Sequence, residues 1–209
     1  MPLSAARARV QASPMDGGKA MTGTMENGDE RRGGAWRIVV WGGAAALLLT
    51  PLAAMRFTRE VAWTGFDFAV FGAMLALACG AFELAARARG DWTWRAAAAV
   101  AIGAAFLLVW ATLAVGFVGD PNNPANLMFA GVLAVAVTGG LIARWRPAGM
   151  ARALVATAIA QALAGGVGVV SGLDPRPITL LAPTAVFVAL WLVSAALFRR
   201  AARTPAAAP

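Results

Sequence analysis

The chain contains no histidine and no tyrosine, and its 209 residues include a single cysteine, Cys79. The common His/Cys ligand sets of zinc, haem and iron–sulfur sites cannot be assembled from that composition. Nucleophilic catalysis by a Ser–His or Cys–His pair is excluded for the same reason. Charge is scarce as well: 13% of residues are charged, against about a quarter in an average soluble domain. Lysine is nearly missing, with Lys19 alone beside seventeen arginines.

Apolar residues fill the space. The chain is 60% hydrophobic, with a mean hydropathy of +0.69, and the apolar stretches run almost its whole length. Neither a water-soluble fold nor a single anchor on a soluble domain accounts for that pattern. A net charge of +8 could suggest nucleic acid as a partner. The arginines, however, stand in small groups between apolar stretches, not along one stripe, which is the layout of topology signals. No nucleic-acid partner is expected; the lipid bilayer is.

A bilayer core needs about 20 mostly apolar residues per helix, because a polar backbone must bond to itself in lipid. Six stretches qualify: about 38–55, 66–86, 96–118, 125–143, 153–171 and 178–198. They predict an all-α membrane protein, a bundle of six transmembrane helices with short loops spanning residues 35–200. Pro51 and Pro183 lie inside spans, where proline bends a helix. Residues 1–34 are polar and lack apolar periodicity, which predicts a disordered tail; no signal-peptide core follows Arg7 and Arg9. Met15, Met21 and Met25 are each candidate translation starts. A second disordered tail is expected at 201–209.

The arginines orient the bundle. Arg31, Arg32 and Arg37 precede the first span; Arg87, Arg89 and Arg95 fill the second connection; Arg144, Arg146 and Arg152 fill the fourth; Arg199, Arg200 and Arg203 follow the last. The first, third and fifth connections hold only Arg56, Arg59 and Arg176. The positive-inside rule then puts both termini in the cytoplasm (N-in/C-in), in agreement with an even number of spans. Trp36, Trp41, Trp92, Trp94 and Trp145 fall near the arginine-rich ends of the spans and Trp63 near the opposite end, where amphipathic rings settle.

A faint repeat at 57-residue spacing lays Arg87, Arg89 and Arg95 on Arg144, Arg146 and Arg152, and Ala101-Ile102 on Ala158-Ile159. Parallel repeats occur in some transporter folds. Chance matching between two Ala-rich hairpins is the simpler account.

Polar groups at membrane depth are functional suspects by default. Glu83 has Arg87 four residues later on one helix face, so an ion pair at the interface competes with a proton or ion relay. Asp67, with Thr64, suits a helix cap. Sixteen residues separate the two carboxylates, about 24 Å along a helix, so they cannot act as one acid–base pair. Gln161 lies mid-span with Thr157 one turn earlier; a hydrogen bond between helices competes with a polar lining for a solute path. Trp110 and Trp191 fall deep, where packing is the plainer role. In the third connection, Asn123 can cap a helix opened by Pro124, and Asp120, Asn122 and Asn126 could instead offer oxygens to a cation or partner. The fifth connection repeats Asp174-Pro175 ahead of Arg176-Pro177. The candidate polar lining is therefore Asp67, Glu83, Trp110, Asn122, Asn126, Thr157 and Gln161. No catalytic, cofactor-binding or metal-binding set is expected.

Several segments carry a resemblance: Arg37-Ile-Val-Val-Trp-Gly-Gly-Ala; Asp120 to Met128 with its Asn-Pro-Ala-Asn-Leu-Met; Arg146-Pro-Ala-Gly-Met-Ala-Arg-Ala-Leu; Ala158-Ile-Ala-Gln-Ala-Leu; and Ala189-Leu-Trp-Leu-Val-Ser to Phe198-Arg-Arg. Together they resemble a group of small, uncharacterised bacterial multi-pass inner-membrane proteins, from about Trp36 to Arg203. The resemblance implies location and architecture, and no activity. The expected role is a non-catalytic membrane subunit or scaffold, self-associating or bound to a membrane-protein partner; the alternative is a transporter or channel for a small solute or ion.

Overall fold

Caps written into the sequence set several helix boundaries in the computed structural model of the protein, which describes residues 17–89, 91–173 and 176–203, with side chains from Trp36 onward. The helices are α1 (Gly17–Phe57), α2 (Gly65–Ala88), α3 (Trp92–Ala114), α4 (Leu127–Ala143), α5 (Pro147–Val170) and α6 (Pro177–Arg203), with a 3-10 turn at Pro124–Asn126. Among the described residues there is no strand. All six helices contain a stretch long and apolar enough to cross a membrane. The protein is an all-α, multi-pass membrane protein.

Local chemistry explains the starts. Thr64 Oγ1 accepts from the Asp67 backbone N–H, and Asp67 Oδ2 accepts from the Thr64 N–H at 2.7 Å, a reciprocal box that opens α2. Asp91 accepts from the Trp94 N–H at 2.6 Å and opens α3. Asn123 accepts from the Ala125 N–H at 3.0 Å with Pro124 next to it, as the sequence leads one to expect. Pro147 begins α5 without a side-chain cap. Pro51 and Pro183 are carried inside continuous helices.

Several boundaries differ from those expected: α3 begins at Trp92 and α5 at Pro147, each ahead of the expected start, and α6 continues to Arg203, into the stretch expected to be a second tail. The third span does not extend to Val118: α3 stops at Ala114, because Gly116 takes a left-handed conformation (φ 77°) and both Val115 and Gly116 donate back to the Ala111 carbonyl. Residues 115–118 belong to the connection. At the other end of the chain, α1 begins at Gly17, inside the stretch read as an unstructured tail, and no proline stands between Gly17 and the span to stop it. The remainder of that tail, residues 1–16, lies outside the described residues, as do residues 204–209 and Asp174-Pro175.

The chain divides into two compact units, residues 1–47 and 48–209. In the second unit the packing order is not the chain order. Helix α2 packs on α3, α3 on α6, α6 on α5 and α5 on α4, while the consecutive helices α3 and α4 touch only lightly. At the arginine-rich end, Trp94 joins three helices. Its ring is wholly buried, its Nε1 donates to the Ala85 carbonyl of α2 at 2.7 Å, and Phe198 of α6 meets it edge-on at 4.9 Å. At the opposite end Phe117 packs against Phe129 (4.4 Å between centroids) and Phe187 (5.6 Å). About one turn further in from Trp94, Ser194 Oγ of α6 donates to the Ala97 carbonyl of α3 at 2.7 Å. The outward faces stay apolar: Leu77 is 74% exposed, and Leu107, Val137, Leu163 and Val193 are exposed as well. A surface of that kind fits hydrocarbon, not water.

Candidate functional site

Two of the seven candidate polar residues, Thr157 and Gln161, belong to α5, a helix packed closely against α6. A methyl carbon built on Gly165 would lie 2.6 Å from both Thr184 Cγ2 and Oγ1, and one on Gly168 would lie 2.5 Å from Leu180 Cδ2. The Thr184 and Leu180 side chains of α6 therefore seat directly on the glycines of α5, where no larger residue fits without a shift. Thr157, Gln161, Gly165 and Gly168 form one buried stripe of α5. Thr184, Trp191 and Ser194 are buried on α6.

Hydrogen bonding divides this polar row. Thr157 Oγ1 donates to the Ala153 carbonyl of its own helix at 2.9 Å, a local bond that uses its one hydroxyl proton. Ser194 is taken by Ala97. Gln161 is different: it is 0% exposed, and neither its Nε2 nor its Oε1 has a hydrogen-bond partner. Thr184 Oγ1 and Trp191 Nε1 are buried and unpartnered too. A buried amide without partners costs about 1–3 kcal/mol. The bond between helices expected of Gln161 is absent. The sequence singles out Gln161 by its mid-span position but does not point to Thr184, because only the register between helices sets Thr184 against Gly165, one turn on from Gln161.

The other candidates lie elsewhere. Glu83 pairs with Arg87 one turn on, with Arg87 itself largely exposed. Asp67 is exposed and held by Thr64 through both Thr64 N–H and Oγ1. Trp110 stacks with Phe71 (4.7 Å) and Trp63 (5.6 Å), and with Asp67 these rings line a cavity of about 460 Å³. Asn122 donates to Asp120 Oδ1 through its backbone N–H at 2.7 Å and its Nδ2 at 3.0 Å, on the exposed tip of the loop. Asn126 is the most fully engaged of all. Its Oδ1 accepts from the Phe117 and Val118 N–H groups, each at 2.9 Å, and its Nδ2 donates to the Asp120 carbonyl at 2.9 Å. One buried side chain thus fastens the end of α3 to the start of α4. These bonds give a structural reason for the loop's run of Asp and Asn.

Two further cavities lie along the α3–α4 seam. One, about 430 Å³, sits under the Asn loop between Val109, Thr112 and Leu133. The other, about 570 Å³, lies at the arginine-rich end among residues of α2, α3 and α4 with Met150 of α5 and Phe198 of α6, and has Arg144 and Trp145 in its wall. Neither these two cavities nor the one beside Trp110 has Thr157, Gln161, Thr184 or Trp191 in its wall. The seven candidates thus fall at four separate places and do not form one polar path. No family model matches the chain, and neither does any curated protein or solved structure.

Proposed function

We propose that the protein is a non-catalytic membrane subunit or scaffold of the bacterial inner membrane, with both termini in the cytoplasm. The observation that carries this reading is the use to which the polar groups are put. Asp67 and Asn123 cap, Glu83 pairs locally, Asn126 closes a loop and Thr157 bonds its own helix. Polar side chains spent on architecture leave a rigid, mostly apolar bundle whose outer surface is its working part. The grouping of arginines at alternate connections supports the orientation, and the resemblance to small bacterial inner-membrane proteins supports the location.

Purification of the full chain from its native membrane in mild detergent tests the role. A stoichiometric membrane-protein partner, or a homo-oligomer that survives dilution, is the expected result. A lone monomer that moves a solute across liposomes would overturn it. Orientation is read by a reporter fused after Arg203, which is expected to report the cytoplasm.

One observation favours the second reading, a path for a small solute or ion. Gln161 of α5 and Thr184 and Trp191 of α6 hold four buried polar atoms without partners, and groups of that kind bind water or a polar solute when space opens. In that case Gln161→Leu would abolish the flux seen in liposomes.

A further inference from the structure

The cavity at the arginine-rich end has a composition that neither role above uses. Its wall combines small side chains, Ala81 and Ala85 from α2, Ala98 and Ala101 from α3, Ala136 and Gly140 from α4, with larger apolar groups that line it as well, Met150 of α5 and Phe198 of α6 among them. Along α3 it extends from Trp94 to Ile102, about 12 Å of helix at ~1.5 Å per residue. That is close to the depth of one leaflet, about half of a ~30 Å hydrocarbon core. Its volume of about 570 Å³ falls among those of ordinary small-molecule sites, about 300–1,000 Å³. Ala81, Val137 and Leu141 of its wall are exposed, so the groove opens onto the lipid-facing surface.

Its charged end is specific. Arg144 and Trp145, both in its wall, take left-handed backbone conformations (φ 47° and 60°). Such angles are costly for any residue but glycine, and strain of this kind collects where a function holds it. Trp145 lies 6.4 Å from Trp94, and the Arg89 guanidinium sits over the Trp94 ring at 5.8 Å. Asp91 is 3.9 Å from Arg89, Glu83 pairs with Arg87, and Arg144 has no acidic partner among the described residues. The mouth therefore carries more positive than negative charge, beside a Trp of the kind that settles at headgroup level.

We propose that this groove is a binding site for an anionic phospholipid, with one acyl chain between α3 and α4 and the phosphate held by Arg144 beside Trp145. The site is independent of whether the protein is a scaffold or a transporter.

The delipidated full chain, offered equal amounts of dioleoylphosphatidylglycerol and dioleoylphosphatidylcholine, is read by native mass spectrometry. The phosphatidylglycerol adduct is expected to exceed the phosphatidylcholine adduct about fivefold, the effect of one arginine near an anionic headgroup. Arg144→Gln, which changes no backbone requirement at an exposed site, should erase that preference. Gly140→Leu should lose both adducts, since it occupies the acyl channel; Ala136→Leu tests the same channel should Gly140→Leu fail to fold. Arg59→Gln, on a distant connection, should leave the preference intact. Equal retention of the two lipids overturns the proposal, as does an undiminished preference in Arg144→Gln. Displacement of phosphatidylglycerol by millimolar inorganic phosphate would instead make this a free-anion site, and lipid-free dimers would make the groove a contact between copies; either overturns it too.

Discussion

Between α5 and α6 the side chains of Thr184 and Leu180 lie so close over Gly165 and Gly168 that a methyl group would not fit; between α3 and α4, two connections earlier in the chain, cavities lie at both ends of the seam. Both pairs are built largely from alanine, glycine and aliphatic residues. In lipid there is no hydrophobic force to squeeze helices together, because the solvent is as apolar as the side chains. Close fit decides which surfaces join. Gly165 and Gly168 offer hollows that Thr184 and Leu180 fill. The facing stripes of α3 and α4 present small residues to small residues, and nothing fills the space between them. The α3–α4 pair is held at one end by Asn126, and its other end stays open at Arg144.

The largest effect is therefore expected at that fastening. Asn126→Ala strips the Phe117 and Val118 N–H groups of their acceptor in a buried setting, for a loss of about 3 kcal/mol. Thermal melting in detergent measures it, and limited proteolysis at residues 117–123 should accelerate in parallel. If melting is unchanged, the loop is held by the Phe117–Phe129 stack alone and the comparison loses its closed end.

Next comes the tight interface. Gly165→Ala places a methyl 2.6 Å from two atoms of a β-branched side chain and 3.1 Å from its Cβ, and Thr184 has little freedom to turn away. Overpacking of that kind costs about 1–3 kcal/mol. Adding Thr184→Ala should restore part of the loss, since two of the three colliding atoms disappear. A pair of substitutions whose effects merely add would show that the glycine acts through its own helix and not through α6.

Parts of this contrast are legible in the sequence. The caps at Thr64 and Asn123 are, because a cap depends on residues three or fewer apart. So is the deep position of Gln161. The end of α3 is not: Val115, Phe117 and Val118 read as apolar span, and only the left-handed Gly116 with the reach of Asn126 back to Phe117 turns them into a loop. The place of Thr184 over Gly165 is hidden for a related reason. In helices this rich in alanine and glycine several faces offer equal small-residue stripes, so register emerges from which hollow meets which branched side chain. The groove by Arg144 follows from the same cause, since a gap belongs to a pair of helices and to no local pattern.

A smaller effect, opposite in sign, is expected from Gln161→Leu. The amide is buried and bonded to nothing, so an apolar side chain of similar size removes a desolvation penalty and should raise stability by about 1 kcal/mol. A loss of stability would mean that the amide is satisfied by water held between α5 and α6. That water would make the tight interface a wet one and would strengthen the case for a solute path.

The smallest effect sharpens the contrast most directly, because one substitution can be made on both sides of it. Ala158 is buried on α5, and Ala158→Leu should cost about 1–3 kcal/mol by forcing its neighbours apart. Ala136 is only half-buried and borders the open groove. Ala136→Leu has room to extend into space that no side chain occupies, and its effect on melting should stay within about 0.5 kcal/mol. A lipid chain in the groove would make the outcome depend on the bilayer. In delipidated protein the leucine should be neutral, whereas with phosphatidylglycerol present it should forfeit whatever stabilisation the bound lipid gives the wild type. A cost equal to that at Ala158 in both conditions would mean that α3 and α4 close on one another, and the difference between the two helix pairs would vanish.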